Sequence, residues 1–535
     1  MTGSRSGGRV LAEALAGAGV EVVFGVPGIH ALALWDSLTE VPLRSIGLRT
    51  ELSAGFAADG YARVSRRPGV LLTTTGPGAF VATAALMEAA TAFVPMLNVV
   101  TAIPRVLIGA GRGYLHEAPN QSTVLASFAK WHAVAQSPDE IPELVRHGLR
   151  VASEAPPGPV VLEVPVDVLS AASTVPVPPE PLRPQPSPGP TPEELDRAAQ
   201  LLREARSPVV IAGGGVLRAG AHRDLAGLAE LLDAPVLTTY QGKGAIPASH
   251  PLFAGSGCYE GAYRRLIEES DVALAVGTEL GSETTAGWTI RMPERLIHLE
   301  ARADHAGRNY PCHGLVGDAA AVLPQLLDAL PDRQSRQGGE RARSAREQAR
   351  GGLADAPLER ELLSAIREAA TDRGITAFDM TIAGYLAASH FDVQDPGTFL
   401  YPLGSGTLGY AWPAAIGAGL AAPDRPVLAV HGDGGVLYNI VELLTAAQYG
   451  IDAKLLVIDD RGYGILRQVQ LNTYGRSIGV DLAQPDFPAL AGALGVPVHR
   501  IRPDRLAEDL GAAMRSPGPA LLHLPATLAM PARSR

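Results

Sequence analysis

The chain has 535 residues, 46% of them hydrophobic and 19% charged, with a net charge of −10, which excludes a disordered chain and calls for more than one core. Three of its 45 basic residues are lysine, and the arginines are scattered among acids rather than gathered in a patch, so no footprint for nucleic acid is present. Two distant cysteines, Cys258 and Cys312, exclude a disulfide scaffold or a cysteine-rich metal site. The polar start runs into an Ala/Leu-rich helix holding Glu13, with no signal-peptide core. No apolar run is long enough to span a bilayer, so a cytoplasmic protein without membrane or nucleic-acid partners is expected.

In chain order, the apolar runs 22–25, 70–74 and 96–101 predict the buried strands of a first block. Residues 174–192 are so rich in proline that neither a helix nor a sheet interior can hold them. Runs 208–212, 272–276 and 295–299 supply strands to a second block, and the charged stretch 333–352, flanked by glycines, reads as a second linker. Runs 427–431 and 454–458 belong to a third block. Short apolar strands alternating with longer helical patterns predict three doubly wound α/β domains with parallel sheets, over 1–173, 193–332 and 353–535. In such sheets functional groups gather at the carboxyl ends of the strands.

The sharpest local signal is His431-Gly432-Asp433-Gly434-Gly435, after an apolar strand and before a helical pattern over 436–449. Glycines there let backbone N–H groups approach a phosphate, and a helix start adds a favourable dipole. Asp433 is a hard oxygen ligand suited to Mg²⁺. Alone, such a turn is equally a glycine-rich loop with a capping Asp. A second strand, however, ends in Asp459-Asp460, with Asp460 27 residues after Asp433. A strand–helix–strand unit brings these two acidic tips side by side. The triplet Gly213, Gly214, Gly215 invites a dinucleotide reading but lacks a full GxGxxG and its ribose-binding acid.

GDGG followed by VIDDRGYG resembles the thiamine-diphosphate fingerprint, in which GDG precedes an Asn-Asn-type pair by a similar interval. The runs FGVPGIHALALWD, LRTELSAGFAADGYARVSRRPGV and TTTGPGAF resemble the pyrimidine-binding domain of the acetolactate synthase and 2-oxo acid decarboxylase superfamily. The runs IAGGGVLRAG, LDAPVLTTYQGKGAIPASHPLFAG and GSGTLGYAWPAAIGAGLA continue that resemblance over nearly the whole chain. It implies pyrimidine-binding, central and diphosphate-binding domains in that order.

By this resemblance Glu51 faces the aminopyrimidine ring and promotes the tautomer that activates the cofactor's C2. Gly406 and Leu408 match positions that bond the pyrimidine edge, and Leu408 also matches the apolar wedge under the bent cofactor. Asp433, Asp460 and the carbonyl of Gly462 match the Mg²⁺ ligands. Gly434 and Gly435 would lie against the diphosphate, and Gly432, Tyr463 and Pro27 are further cofactor-binding candidates. In FDMT, either Thr381 or the Met380 backbone reaches phosphate, or Asp379 is simply a helix N-cap. Two departures stand out: Asp460 occupies a position that is often Asn, and Gly435 one that often carries a hydroxyl.

The implied reaction is Mg²⁺-dependent decarboxylation of a 2-oxo acid through a C2 carbanion and an enamine. GVPGIHALALWD, GRGYLHEAPNQS and DDRGYGILRQ resemble decarboxylases acting on guanidino-type 2-oxo acids. His30 and His116 are candidates to supply or relay a proton, Gln121 to bond the substrate carboxylate, and Glu117 to pair with a cationic tail. A carboligase of acetolactate-synthase type and a catalytically silent homologue stay open as alternatives, as does FAD in the central domain, for which GTELGSETTAGW gives no clear signature. The resemblance also implies a homodimer or homotetramer with active sites at the subunit interface.

Overall fold

Strands that are apolar along their whole length need cover on both faces, and helices supply it here. The computed structural model describes residues 4–181, 189–258, 260–331 and 335–531. It contains three six-stranded sheets in which every strand pair is parallel. The first orders its strands Arg44–Gly47, Val22–Gly25, Gly69–Thr73, Met96–Ala102, Pro159–Pro165 and His132–Val134. The third orders them Phe399–Leu400, Ile375–Phe378, Val427–Gly432, Ala453–Asp459, Ala520–Pro525 and Val498–Arg500. The three-domain α/β expectation holds, and the expected strands appear within a residue at either end.

Each sheet has an inner switch point where the connections turn from one side of its first strand to the other, opening a crevice at the carboxyl ends. In the first sheet this point lies between Val22–Gly25 and Gly69–Thr73, in the third between Ile375–Phe378 and Val427–Gly432. In the central sheet it lies between Pro208–Ala212 and Val272–Val276. There the Gly213 N–H donates to Val276 O (2.8 Å) and the Gly215 N–H to Gly277 O (2.9 Å), so two of the triplet's three amides are spent within the domain.

Two expectations are corrected. The stretch 333–352 contains a helix, Gly338–Gly351, that buries Ala342 and Ala345 in the central domain's core. Its arginines face outward or donate to backbone, as Arg341 does to Pro208 O (2.9 Å). Charge therefore marked a helix surface rather than a linker. The helical pattern over 436–449 breaks into Asp433–Val436, a short 3₁₀ turn Ile440–Glu442, and Leu443–Tyr449, because buried Asn439 turns away to donate to the Gly409 carbonyl. In the proline-rich stretch, 182–188 lie outside the described residues and 174–181 form no helix or long strand. The helix beyond it starts at Pro192, capped by Thr191.

The first and third domains meet along one helix crossing. Glu51–Ser65, nearly all small or buried residues, lies against Ala411–Ala421. A Cβ at Gly60 would sit 2.1 Å from Ala414 O, and one at Gly417 1.9 Å from Ala57 O. Only glycine lets the two backbones approach this closely.

Candidate active site

At the third sheet's switch point a cleft of about 850 Å³, its open mouth included, runs over the strand ends. Gly432, Asp433, Gly434 and Gly435 form one wall, and Asp460, Gly462 and Tyr463 the facing one. Thr381, Gly406 and Leu408 complete it. All the cofactor- and metal-binding residues expected from the third domain are thus brought together.

Asp433 is fully buried, with its carboxylate accepting N–H bonds from Gly434 (2.9 Å) and Gly462 (2.8 Å). Burial, and then the charge of Asp460, push its carboxyl up to about 7. Burial raises Asp460 as well, against the opposing pull of the Arg467 guanidinium, which stands 3.9 Å away. Two desolvated carboxylates that repel each other form a site which a divalent cation relieves, and both are hard oxygen donors. The residues fit Mg²⁺. Gly462 has φ +155°, and a Cβ there would meet Val480 O at 2.0 Å, so the turn that offers its carbonyl requires glycine.

Thr381, not Asp379, caps the helix Ile382–His390, accepting from the Gly384 N–H (3.0 Å). Buried Asp379 instead accepts from the Gly409 and Tyr410 N–H groups (3.0 and 3.1 Å) and lies 2.9 Å from His431 Nδ1. His431 Nε2 accepts the Trp412 N–H (2.8 Å), which leaves Nδ1 as the protonated nitrogen facing Asp379. This arrangement accounts for Gly435. A Cβ there would come within 2.6 Å of Asp379 Oδ2, so the carboxylate fills the space where a hydroxyl side chain would begin.

A second cluster occupies the first sheet's switch point. Glu51 opens the helix Glu51–Ser65, whose N-cap is Thr50. Its Oε1 lies close enough to Gly78 that a Cβ there would stand 2.7 Å away. His30 Nδ1 is 2.9 Å from Thr75 Oγ1, and its ring meets His116 edge-on at 5.3 Å. Burial and then the His116 charge lower the His30 pKa. Pro27 stands exposed just past Val22–Gly25.

Two expected roles change. Gln121 is buried, its Oε1 accepting the Gly76 N–H (2.7 Å) and its Nε2 donating to Thr101 O (3.1 Å) and Glu163 Oε2 (2.6 Å). Both amide protons are spent, so Gln121 has none for a substrate carboxylate. Glu117 is half-buried and accepts from the Gly111 and Tyr114 N–H groups (both 3.0 Å), closing its own loop. It meets a cationic tail only by giving up those bonds.

Among the described residues, everything lining the third-domain cleft lies between 380 and 528. Exposed apolar side chains flank both clusters: Ile29, Leu32 and Leu115 near the first, Val469, Tyr474 and Ile478 near the second.

Sequence reasoning missed three residues. Glu163 carried a signal, a lone acid inside the fully buried strand Pro159–Pro165. Asp379 was read only as a cap. Leu528, which lines the cleft, had no local signal.

Comparison with known proteins agrees with this geometry. Three family models match in order: the thiamine pyrophosphate enzyme N-terminal TPP binding domain at 5–124, the central domain at 195–326 and the C-terminal TPP binding domain at 379–524. The chain belongs to the thiamine pyrophosphate enzymes. Within that family it is 37% identical over 526 residues to a probable 2-ketoarginine decarboxylase, AruI, of Pseudomonas aeruginosa, covering 97% of this chain and 93% of that protein. It is 32% identical over 545 residues to a probable acetolactate synthase large subunit of Methanocaldococcus jannaschii, covering 97% and 91%. An acetolactate synthase of Mycobacterium bovis is 32% identical over 513 residues, covering 92% and 82%. This thiamine pyrophosphate enzyme is therefore of the 2-oxo acid decarboxylase or carboligase type. No helix among its described residues is long and apolar enough to cross a membrane.

Proposed function

We propose that this thiamine pyrophosphate (thiamine diphosphate) enzyme is a Mg²⁺-dependent, cytoplasmic decarboxylase of a 2-oxo acid carrying a guanidino-type tail. Residues 1–173, 193–332 and 353–535 serve as its pyrimidine, central and diphosphate domains. The observation that carries the reading is the pairing of buried Asp433 with half-buried Asp460, both raised by desolvation, in a cleft lined by the fingerprint residues. These two carboxylates and the Gly462 carbonyl would hold Mg²⁺, and the 432–435 turn would lie against the diphosphate. Thr381 retains its hydroxyl proton for the same phosphates, Tyr463 packs on Gly434, and Gly406, Leu408 and Pro27 border the ring end.

When bound, the cofactor supplies a nucleophilic carbon and an electron sink that let the bond between carboxylate and carbonyl break. Glu51 holds a proton at the ring nitrogen of the aminopyrimidine. His30 and His116 would deliver a proton to the product side, with the His30 pKa lowered by burial and then by the His116 charge. Decarboxylation is favoured over carboligation by the greater identity to the 2-ketoarginine decarboxylase than to the two acetolactate synthases. FAD does not enter the proposal, since the central glycine triplet has already spent two of its three amides.

The test is CO₂ release from a panel of 2-oxo acids with thiamine diphosphate and Mg²⁺. Fastest turnover is expected for 5-guanidino-2-oxopentanoate. Acetolactate formed from pyruvate at a higher rate would establish the carboligase instead, and cofactor binding with no turnover would establish a silent homologue.

Completing the site would take Glu51 from one chain and Asp433 from another, a reading supported by a cleft whose described lining is drawn from the third domain alone. The exposed apolar side chains around both clusters suit such an interface. Analytical ultracentrifugation is expected to find the active protein as a dimer or tetramer; an active monomer refutes the shared site.

A further inference from the structure

Glu163 is an acid in the middle of a strand, Pro159–Pro165, whose seven residues are all buried. It is 2% exposed and pairs in register with Val100 on one side and Val134 on the other. A buried carboxylate is costly unless every oxygen finds a donor. Here Oε2 accepts from Gln121 Nε2 at 2.6 Å and Oε1 lies 2.7 Å from His132 Nε2. Burial opposes its charge, but bonds from His132, Ser122 and Gln121 outweigh that and hold the carboxyl below its usual range. The fold therefore maintains an ionised acid where any aliphatic residue would pack.

That carboxylate decides how the Gln121 amide is turned. With Nε2 pointed at Glu163 and Thr101 O, Oε1 must face the other way, where it accepts the Gly76 N–H at 2.7 Å. An amide flipped by half a turn would set its oxygen against a carboxylate and its N–H₂ against another N–H. Gly76 has φ +64°, and its missing side chain leaves room for the His116 carbonyl, which a Cβ would approach to 2.5 Å. Two residues on, Gly78 lies against Glu51 Oε1, and one residue back, Thr75 Oγ1 bonds His30 Nδ1. One turn, 74–78, thus touches Glu51, His30 and His116 together.

We infer that Glu163 is a positioning residue of the active centre, fixing the 74–78 turn through the Gln121 amide and so setting Glu51, His30 and His116 relative to one another. The inference rests on the reading of Glu51 as the group that activates the cofactor. His132, on the edge strand with its side chain 20% exposed, is the carboxylate's second support.

The test uses the full-length protein saturated with thiamine diphosphate and Mg²⁺, following hydrogen–deuterium exchange at the cofactor's C2 by NMR after acid quench. Glu163→Leu and Gln121→Met are each expected to slow exchange and kcat about 10–100-fold, the cost of a small misplacement of reacting groups. The dissociation constant for thiamine diphosphate, set mainly by the Asp433 cleft, should not change. Because both residues act on one turn, the double variant should be no slower than the worse single variant. A scaffold role alone would instead give additive losses that track the melting temperature. Glu163→Gln keeps the volume and one bond, and its slowing is expected to be smaller but in the same direction. Wild-type exchange in both Glu163→Gln and Gln121→Met, with Glu51→Gln slowed, overturns this inference alone. Wild-type exchange in Glu51→Gln overturns the functional reading and this inference with it.

Discussion

Glu51→Gln is expected to slow C2 proton exchange of bound thiamine diphosphate by about 10²–10⁴-fold, the usual contribution of one acid–base group. The amide fills the same volume and still accepts a hydrogen bond, but it cannot give and take a proton at the pyrimidine nitrogen. Glu51 sits at the first position of a helix whose far side is locked against Ala411–Ala421, so the substitution leaves the backbone in place. Cofactor affinity should survive, because the proposed anchor lies in a different domain. Exchange measured by NMR alongside equilibrium binding separates the two effects. Exchange at the wild-type rate would remove Glu51 from the chemistry.

The second large effect is expected at the opposite pole. Asp433→Ala should weaken Mg²⁺-dependent binding of thiamine diphosphate by about 100-fold or more, since even the outer partners of a metal site are worth 10–100-fold. Calorimetric titration with and without Mg²⁺ checks it, and unchanged affinity would refute the cation site. Asp460→Asn should behave differently. It keeps an oxygen donor and removes one of two repelling charges, so binding should stay within about tenfold of the parent. The same titration carries a pH signature. With the Asp433 carboxyl at about 7 in the metal-free chain, protons compete with the ion as the pH falls through that value. Affinity should therefore be weaker at pH 6 than at pH 8.

How far the sequence was legible depended on how local each cause was. The strands Pro208–Ala212 and Val272–Val276 were read to the residue because an apolar run covered on both faces needs no distant information. The 433–435 turn and Asp460 were legible as a pair because their spacing fits one strand–helix–strand unit. What failed was decided across the chain. Gln121 looked available to a substrate until Glu163 and Thr101, far away in sequence, claimed its protons. Gly435 looked like a lost hydroxyl until Asp379 proved to occupy that space. The helix Gly338–Gly351 was hidden by its arginines, since only Ala342 and Ala345 mark the face it buries.

The crossing of Glu51–Ser65 with Ala411–Ala421 limits how this enzyme can breathe. At Gly60 and Gly417 backbone presses directly on backbone, and Phe56 packs edge-on against Tyr410 beside that contact. Sliding those two domains past each other would press their main chains into each other's van der Waals surfaces. Admission of substrate is then expected to depend on Gly464–Tyr474, a helix that lines the cleft and has no buried residue of its own. Efforts to widen the range of accepted acids should start with that helix and leave the crossing untouched.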